Sequence, residues 1–200
     1  MKYKKLPLSW YRKNDVVGLA KELLGKVLVT KIDGIVTSGI IVETEAYMGE
    51  VDRASHAYNG RRTARTEVMY GEAGTAYVYL CYGIHHLFNV VTNKKNIPHA
   101  ILIRALEAVE GIDEMIKRRG KDKLDYTLTK GPGSLSQALG IHTQNSGSDL
   151  TGNKIWIEDR GIKFPSSKIK ATKRIGVDYA GSHAEWKSRF ILNGSKWVSG

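Results

Sequence analysis

VLVTKIDGIVTSGIIVETEAY, residues 27–47, is the stretch on which the architecture turns. Two runs rich in β-branched residues flank Asp33-Gly34. A two-residue hairpin loop needs positive φ at both central positions, which Gly takes freely and Asp tolerates. Residues 27–30 and 35–47 are therefore predicted to be antiparallel strands about a tight turn. Side chains alternate along a strand, so Ile41, Glu43, Glu45 and Tyr47 share one face and Ile40, Val42, Thr44 and Ala46 the other. The second face is apolar, whereas the first carries two carboxylates. Acids on a strand are ordinarily just solvated, so their setting must give them meaning.

Upstream of this hairpin, Asn14 is placed to cap a short helix in which Val16, Leu19, Ala20, Leu23 and Leu24 recur at helical spacing before Gly25 stops it. Downstream, residues 48–75 are polar, rich in Gly and Arg, and weakly periodic, as functional loops often are. Residues 75–82 and 87–92 form β-rich runs around Tyr82-Gly83, and residues 100–106 make another apolar strand. Helices are predicted at 111–119 and at 132–139, the latter with Pro132 at an early position and Gly140 just past its end. Residues 155–158, 173–177 and 189–192 read as strands, with Asn193-Gly194 turning the chain towards Trp197. No repeat, linker or low-complexity run divides the sequence, and strands do not alternate regularly with helices. The expectation is one α+β domain over residues 1–200, built on an antiparallel or mixed sheet.

The 200 residues include 31 Lys and Arg against 20 Asp and Glu, a formal net charge of +11. That surplus favours a polyanionic partner, although a basic protein without one is the bland alternative. Cys81 is the single cysteine, which excludes an intramolecular disulfide and a Cys-rich zinc site and fits a reducing compartment. The basic start, Met1 to Lys5, leads into a stretch interrupted by Pro7, Arg12, Lys13, Asn14 and Asp15, so neither a signal-peptide core nor a membrane span is read there. A soluble cytoplasmic protein is expected, nucleoid-associated if bacterial. His85 and His86 fall on opposite faces of an extended chain, and no metal-ligand set or cofactor motif emerges.

Glu43 and Glu45 run directly into Tyr47 and the loop that holds His56, Arg61, Arg62 and Arg65. A carboxylate beside clustered arginines stays ionised, as a general base for water must. The same arginines suit phosphate contacts, although solvated loop arginines are commoner. Tyr77, Tyr79 and Cys81 alternate with Val78, Leu80 and Tyr82, a stripe that is usually core. Tyr82 precedes Gly83 at a turn, so its ring is expected to be exposed, where it could wedge between base steps. Arg104, amid Ile101, Leu102, Ile103, Ala105 and Leu106, needs an acidic or polar partner if buried, for which Glu43 or Glu45 would serve.

Taken together, IVETEAY (41–47), His56, GRRTART (60–66), GTAYVYLCYG (74–83), Asn89, LIRALE (102–107), KGPGSLSQALGI (130–141), RIGVDYAG (174–181) and GSKWVS (194–199) resemble the alkyladenine (3-methyladenine) DNA glycosylase family, in order and over nearly the whole chain. The resemblance implies a compact domain with a curved, mainly antiparallel sheet, flanking helices and a protruding β-hairpin that enters the DNA minor groove. It implies a monofunctional, cofactor-free enzyme, acting as a monomer on double-stranded DNA with damaged purines: 3-methyladenine, 7-methylguanine, hypoxanthine or ethenoadenine. Carried over by position, Glu45 would activate water, with Arg104 and His56 as catalytic partners. Tyr47, His56, Tyr79 and Asn89 would enclose the flipped base, Asn89 guarding against the extra amino group of guanine. Tyr82 would fill the vacated stack, and Arg61 and Arg65 would meet the backbone. The lysine that animal relatives carry in the segment matching Gly133-Ser134 is absent here. Two other readings stay open: a non-catalytic nucleic-acid-binding module, for which basic surplus and exposed aromatics suffice, and a metal-dependent nuclease, supported only by the Glu43 and Glu45 pair.

Overall fold

The structure is a computed structural model that describes residues 3–200. Among the described residues, nine strands form one curved, antiparallel half-barrel sheet, with helices packed on it. In chain order the elements are β1 (Lys4–Lys5), α1 (Leu8–Tyr11), α2 (Val16–Glu22), β2 (Val27–Ile32), β3 (Ile35–Tyr47), β4 (Ala76–Cys81), β5 (His85–Thr92) and β6 (His99–Glu110). These are followed by α3 (Ile112–Arg119), α4 (Pro132–Leu139), β7 (Ile155–Asp159), β8 (Ile169–Thr172) and β9 (Arg189–Leu192). The sheet runs β1-β7-β2-β3-β6-β5-β4, and β9 joins β3 to β8.

β3 is the hub of this sheet. One edge of it pairs with β2 as far as Ile40 and then, at Glu43 to Glu45, with β9; the other edge pairs with β6 along most of its length. The β2–β3 turn is formed as expected, with Asp33 and Gly34 both at positive φ (51° and 80°), the combination a right-twisted hairpin requires. Strict alternation along β3 does not hold. Ile41 and Ala46, five positions apart and so on opposite faces of a regular strand, both belong to the main core. Register shifts on either side of Glu43 in the pairing with β6 accompany the change of face.

The main core joins Leu28, Phe88, Val90, Ile101, Ile103 and Leu106 of the sheet to Leu19 and Leu23, Met115, and Leu135, Ala138 and Leu139 from α2 to α4. Each such side chain contributes about 1.5–3 kcal/mol when fully buried. The Thr44 hydroxyl donates to the carbonyl of Ala20 (2.8 Å), tying α2 to the middle of β3. The cap of α2 is Asp15, not Asn14: the Asp15 carboxylate accepts the N–H of Gly18, an N3 contact that Asn14, one residue earlier, is too far back to make.

One expected strand is corrected. Residues 173–177 are not a strand; the strand lies four residues earlier, in β8, which pairs with β9. The later segment spends its donors on carboxylates instead of a ladder, Arg174 bonding Asp52 and the Ile175 N–H bonding Glu45, while Gly176 turns at φ 73°. The stretch 48–75, read as a loop, carries neither a strand nor an α-helix. It makes three short 3-10 turns, Gly49–Val51, Tyr58–Gly60 and Glu67–Tyr70, and buries Ala54, Ala57, Met69 and Tyr70. Among the described residues, no helix is long and apolar enough to cross a membrane.

Candidate active site

A cavity of about 640 Å³ opens beside the β4–β5 hairpin. Its wall is assembled from seven places in the sequence: Tyr47 at the end of β3, residues 54–56 and Arg65 of the long loop, Tyr77 and residues 79–82 on β4 and its turn, Asn89 on β5, Leu102 and Arg104 on β6, the segment around Gly131 and the segment around Ile175. Of the residues singled out in the sequence, Tyr47, His56, Arg65, Tyr79, Tyr82, Asn89 and Arg104 all line it, whereas Arg61 does not.

Glu45 lies one layer behind that wall. Its side chain is 0% exposed, and its three hydrogen-bond donors belong to residues that face the cavity: Tyr47 OH to Oε2 (2.8 Å), Arg104 Nη1 to Oε2 (3.3 Å) and the Ile175 N–H to Oε1 (2.8 Å). Oε2 thus takes two donors and Oε1 only one, which leaves Oε1 a lone pair free to accept another hydrogen. Glu43, also fully buried, takes Arg104 Nε and Arg189 Nε, each at 2.8 Å, on Oε1. Two buried carboxylates thus face two arginines. Burial of an unpaired charge costs several kcal/mol, and this balance removes that cost. The partners are Arg104 and Arg189, not the loop arginines: Arg61 and Arg65 are exposed, and Arg62 is engaged by Glu67 (2.7 Å) and stacked on Tyr70.

The aromatic wall is held by its own contacts. The His56 Nδ1 and Tyr77 OH share a hydrogen bond of 2.9 Å, and His56 sits edge-on to Tyr79 with centroids 4.6 Å apart. Burial, aided by the charges of Arg65 and Arg61, lowers the His56 pKa to about 4, so the imidazole is neutral at neutral pH. Burial pushes the Tyr77 phenol up to about 12, and raises Tyr47 and Tyr79 as well, Tyr47 further through the Glu45 carboxylate. These phenols are donors, not anions. The Asn89 side-chain amide donates to the carbonyls of Tyr77 (3.1 Å) and Leu87 (3.3 Å), which fixes its orientation in the floor.

The hairpin tip projects from the mouth of the cavity. Tyr82 and Gly83 both have positive φ (50° and 74°), and the Ile84 N–H closes the turn on the Cys81 carbonyl at 3.2 Å. Tyr82 is 90% exposed and Ile84 71%, so an apolar wedge stands free in solvent. Such exposure at a strained backbone position points to a partner that covers it.

Sequence reading missed the residues that brace this arrangement. Arg174 lies over the Tyr47 ring at 4.8 Å and forks onto Asp52, with Nη2 to Oδ1 at 2.9 Å. It also donates to the carbonyls of Ala46 and His183. Asp52 in turn accepts the N–H groups of Met48 and Ala54. Arg189 and Ser199 close on Glu43 from the C-terminal side. Nothing in local periodicity marks these residues, because each acts on a partner more than a hundred positions away. Among the described residues, no group of three or more His, Cys, Asp or Glu side chains gathers at metal-binding distance.

A family model described as methylpurine-DNA glycosylase matches residues 9–196. A Chlamydia felis protein is 50% identical over 189 residues, covering 94% of this chain and 96% of that protein. A Clostridium acetobutylicum protein is 46% identical over 202 residues, covering 98% and 97%; one from Bacillus cereus is 48% identical over 202 residues, covering 96% and 98%. All three bear the provisional name 3-methyladenine DNA glycosylase.

Proposed function

We propose, from the premise that this chain belongs to the methylpurine-DNA glycosylase family and is a DNA glycosylase, that it hydrolyses the N-glycosidic bond of damaged purines with a water activated by Glu45. The whole chain acts as one glycosylase domain, a monomer working on duplex DNA in the cytoplasm. The observation that carries this reading is the buried, charge-balanced Glu45, whose three donors all line an aromatic cavity.

A glycosidic bond inside a stacked duplex is out of reach, so the nucleotide must turn out of the helix at a cost of a few kcal/mol, less for a damaged pair. Tyr82, exposed at the hairpin tip, enters the minor groove and fills the gap. The extruded base, 3-methyladenine, 7-methylguanine, hypoxanthine or ethenoadenine, enters between Tyr47, Tyr79 and His56. Alkylation at a ring nitrogen makes a purine cationic, and aromatic faces add roughly 0.5–2 kcal/mol for a cation. A neutral His56 adds no opposing charge. Asn89, pinned by two carbonyls, meets the base edge and disfavours the exocyclic amino group of normal guanine.

Bond cleavage leaves positive charge on the sugar, which a fixed anion stabilises. Glu45 supplies that anion, and its remaining Oε1 acceptor position takes the hydrogen of the attacking water; the electrons of the broken bond go to the base, so an alkylated cationic purine leaves neutral and a neutral one leaves with a proton taken from solvent. Arg104 and Tyr47 hold Oε2 so that the carboxylate does not rotate. Arg61 and Arg65, exposed beside the cavity, contact phosphates. A single-turnover assay on a duplex with one hypoxanthine or ethenoadenine, with alkali added afterwards to reveal abasic sites, tests the reading. Glu45→Gln is expected to lower base release by about 100-fold or more while lesion binding persists. Full excision by that variant would remove Glu45 from the chemistry, and no release by the wild type would leave a binding module.

A further inference from the structure

Glu43 has no part in the reaction above, yet it is built into the site as firmly as Glu45. Its Oε1 accepts Arg104 Nε (2.8 Å), Arg189 Nε (2.8 Å) and the Ser199 hydroxyl (2.9 Å), and its Oε2 accepts the Ser199 N–H (2.6 Å). Arg104 is in consequence held at three points: Nε on Glu43, Nη2 on the Ser199 hydroxyl (3.3 Å) and Nη1 on Glu45 (3.3 Å). A guanidinium is planar and its donors diverge in a fixed fork. Once Nε and Nη2 are occupied, Nη1 has one direction left, towards Glu45. Arg189 repeats the grip by donating to the Ser199 carbonyl, so this serine is bound through its N–H, hydroxyl and C=O together.

We propose that Glu43 and Ser199 are positioning residues for base excision, which fix Arg104 against Glu45 and divide its charge between two carboxylates. The segment around Ser199 thereby becomes part of the catalytic centre, although it touches no substrate. The charged and titratable groups around Glu45 are Arg104 on β6, Tyr47 and Glu43 on β3, Tyr79 on β4, Tyr179 and, beyond Tyr47, Arg174; Arg189 on β9 faces Glu43. Removal of Glu43 would leave Arg104 to Glu45 alone, and removal of Arg189 would leave the two carboxylates in excess by one charge.

This inference rests on Glu45 as the water-activating base, and the test separates the two. Single-turnover base release and duplex affinity would be measured across pH for wild type, Ser199→Ala, Glu43→Gln, Arg189→Gln and the charge-neutral Glu43→Gln/Arg189→Gln pair. Ser199→Ala is expected to slow excision by about 5- to 100-fold, the worth of the two hydrogen bonds its hydroxyl makes with Glu43 and Arg104, with affinity for the lesion duplex unchanged. Glu43→Gln should slow it about tenfold or more, up to the roughly 100-fold that misplacement by about 1 Å can cost. Loss of a negative charge beside the base moves the acidic limb of the rate profile to lower pH in Glu43→Gln, and loss of a positive charge moves it to higher pH in Arg189→Gln. The double variant brings the limb back while the rate stays low. If Glu43→Gln does not fold, Ser199→Ala and the double variant carry the test. Wild-type rates and pH profiles in these two would overturn the proposal and leave the glycosylase reading intact, whereas a wild type that releases no base would overturn that reading first.

Discussion

Replacing Tyr82 by asparagine separates the two costs that meet at the hairpin tip. In the free protein the ring is 90% exposed and packs on little, while its backbone sits at φ 50°. A left-handed residue other than glycine is held at a cost of about 1 kcal/mol, which asparagine largely avoids, and Asn-Gly is the favoured pair for this turn. Tyr82→Asn should therefore stabilise the free protein by about 0.5–1 kcal/mol, or about 1–4 °C in Tm for a chain of this size. On DNA the balance reverses. A ring that fills a vacated stack is worth about 1–3 kcal/mol, so affinity for a duplex carrying an abasic-site analogue should fall by about 5- to 150-fold. Thermal unfolding and fluorescence anisotropy measure the two quantities on the same preparation. Affinity within about twofold of wild type would show that the ring does not fill the stack, and a lower Tm would refute the strain argument.

Two further outcomes follow from the site. The His56 pKa is lowered to about 4 from an ordinary 6.5. In the window between those values the unfolded chain binds the proton more readily, so this group's contribution is complete above pH 6.5 and is lost as pH falls towards 4. Urea unfolding of wild type should lose at most about 2 kcal/mol more than His56→Gln between pH 7 and 4.5, and equal losses would show that the imidazole is not buried neutral. Arg61, exposed and outside the cavity wall, should act on phosphates alone. Arg61→Ala is expected to reduce the salt-dependence slope of duplex binding by about 1 without changing the excision rate constant, and an unchanged slope would place DNA elsewhere.

Much of the fold was legible because it rests on local rules. Asp33-Gly34 and Tyr82-Gly83 announce the two tight turns, Pro132 and Gly140 bracket α4, and the β-branched runs mark β2, β3, β5 and β6. The short edge pieces β1 and β8, and the single turn α1, carried too few residues to show a period. The misplaced strand at 173–177 failed for a related reason: its alternation is that of a segment crossing a polar site, with Arg174 inward on Asp52. Local pattern cannot tell such a segment from a strand face, because both alternate inward and outward side chains.

For the site the division is sharper. By itself the sequence determined the hairpins, the basic surplus, the aromatic run 77–82 and the two carboxylates before Tyr47, and its resemblance to a family singled out Glu45 among them. Only the tertiary structure decided which groups, besides the Arg104 that the sequence already offered, pair with those carboxylates. Arg104, Arg189 and Ser199 reach Glu43 from β6, β9 and the C-terminal segment, and Ile175 reaches Glu45 from a loop 130 positions away. Of the nearby arginines, which sequence proximity favoured, Arg62 turns to Glu67, Arg61 is exposed and Arg65 lines the cavity over the Tyr79 ring, and none of them bonds Glu43 or Glu45. A buried charge must be matched by whatever the fold brings within hydrogen-bond reach, and that depends on strand pairing and the register shift at Glu43, not on neighbours along the chain.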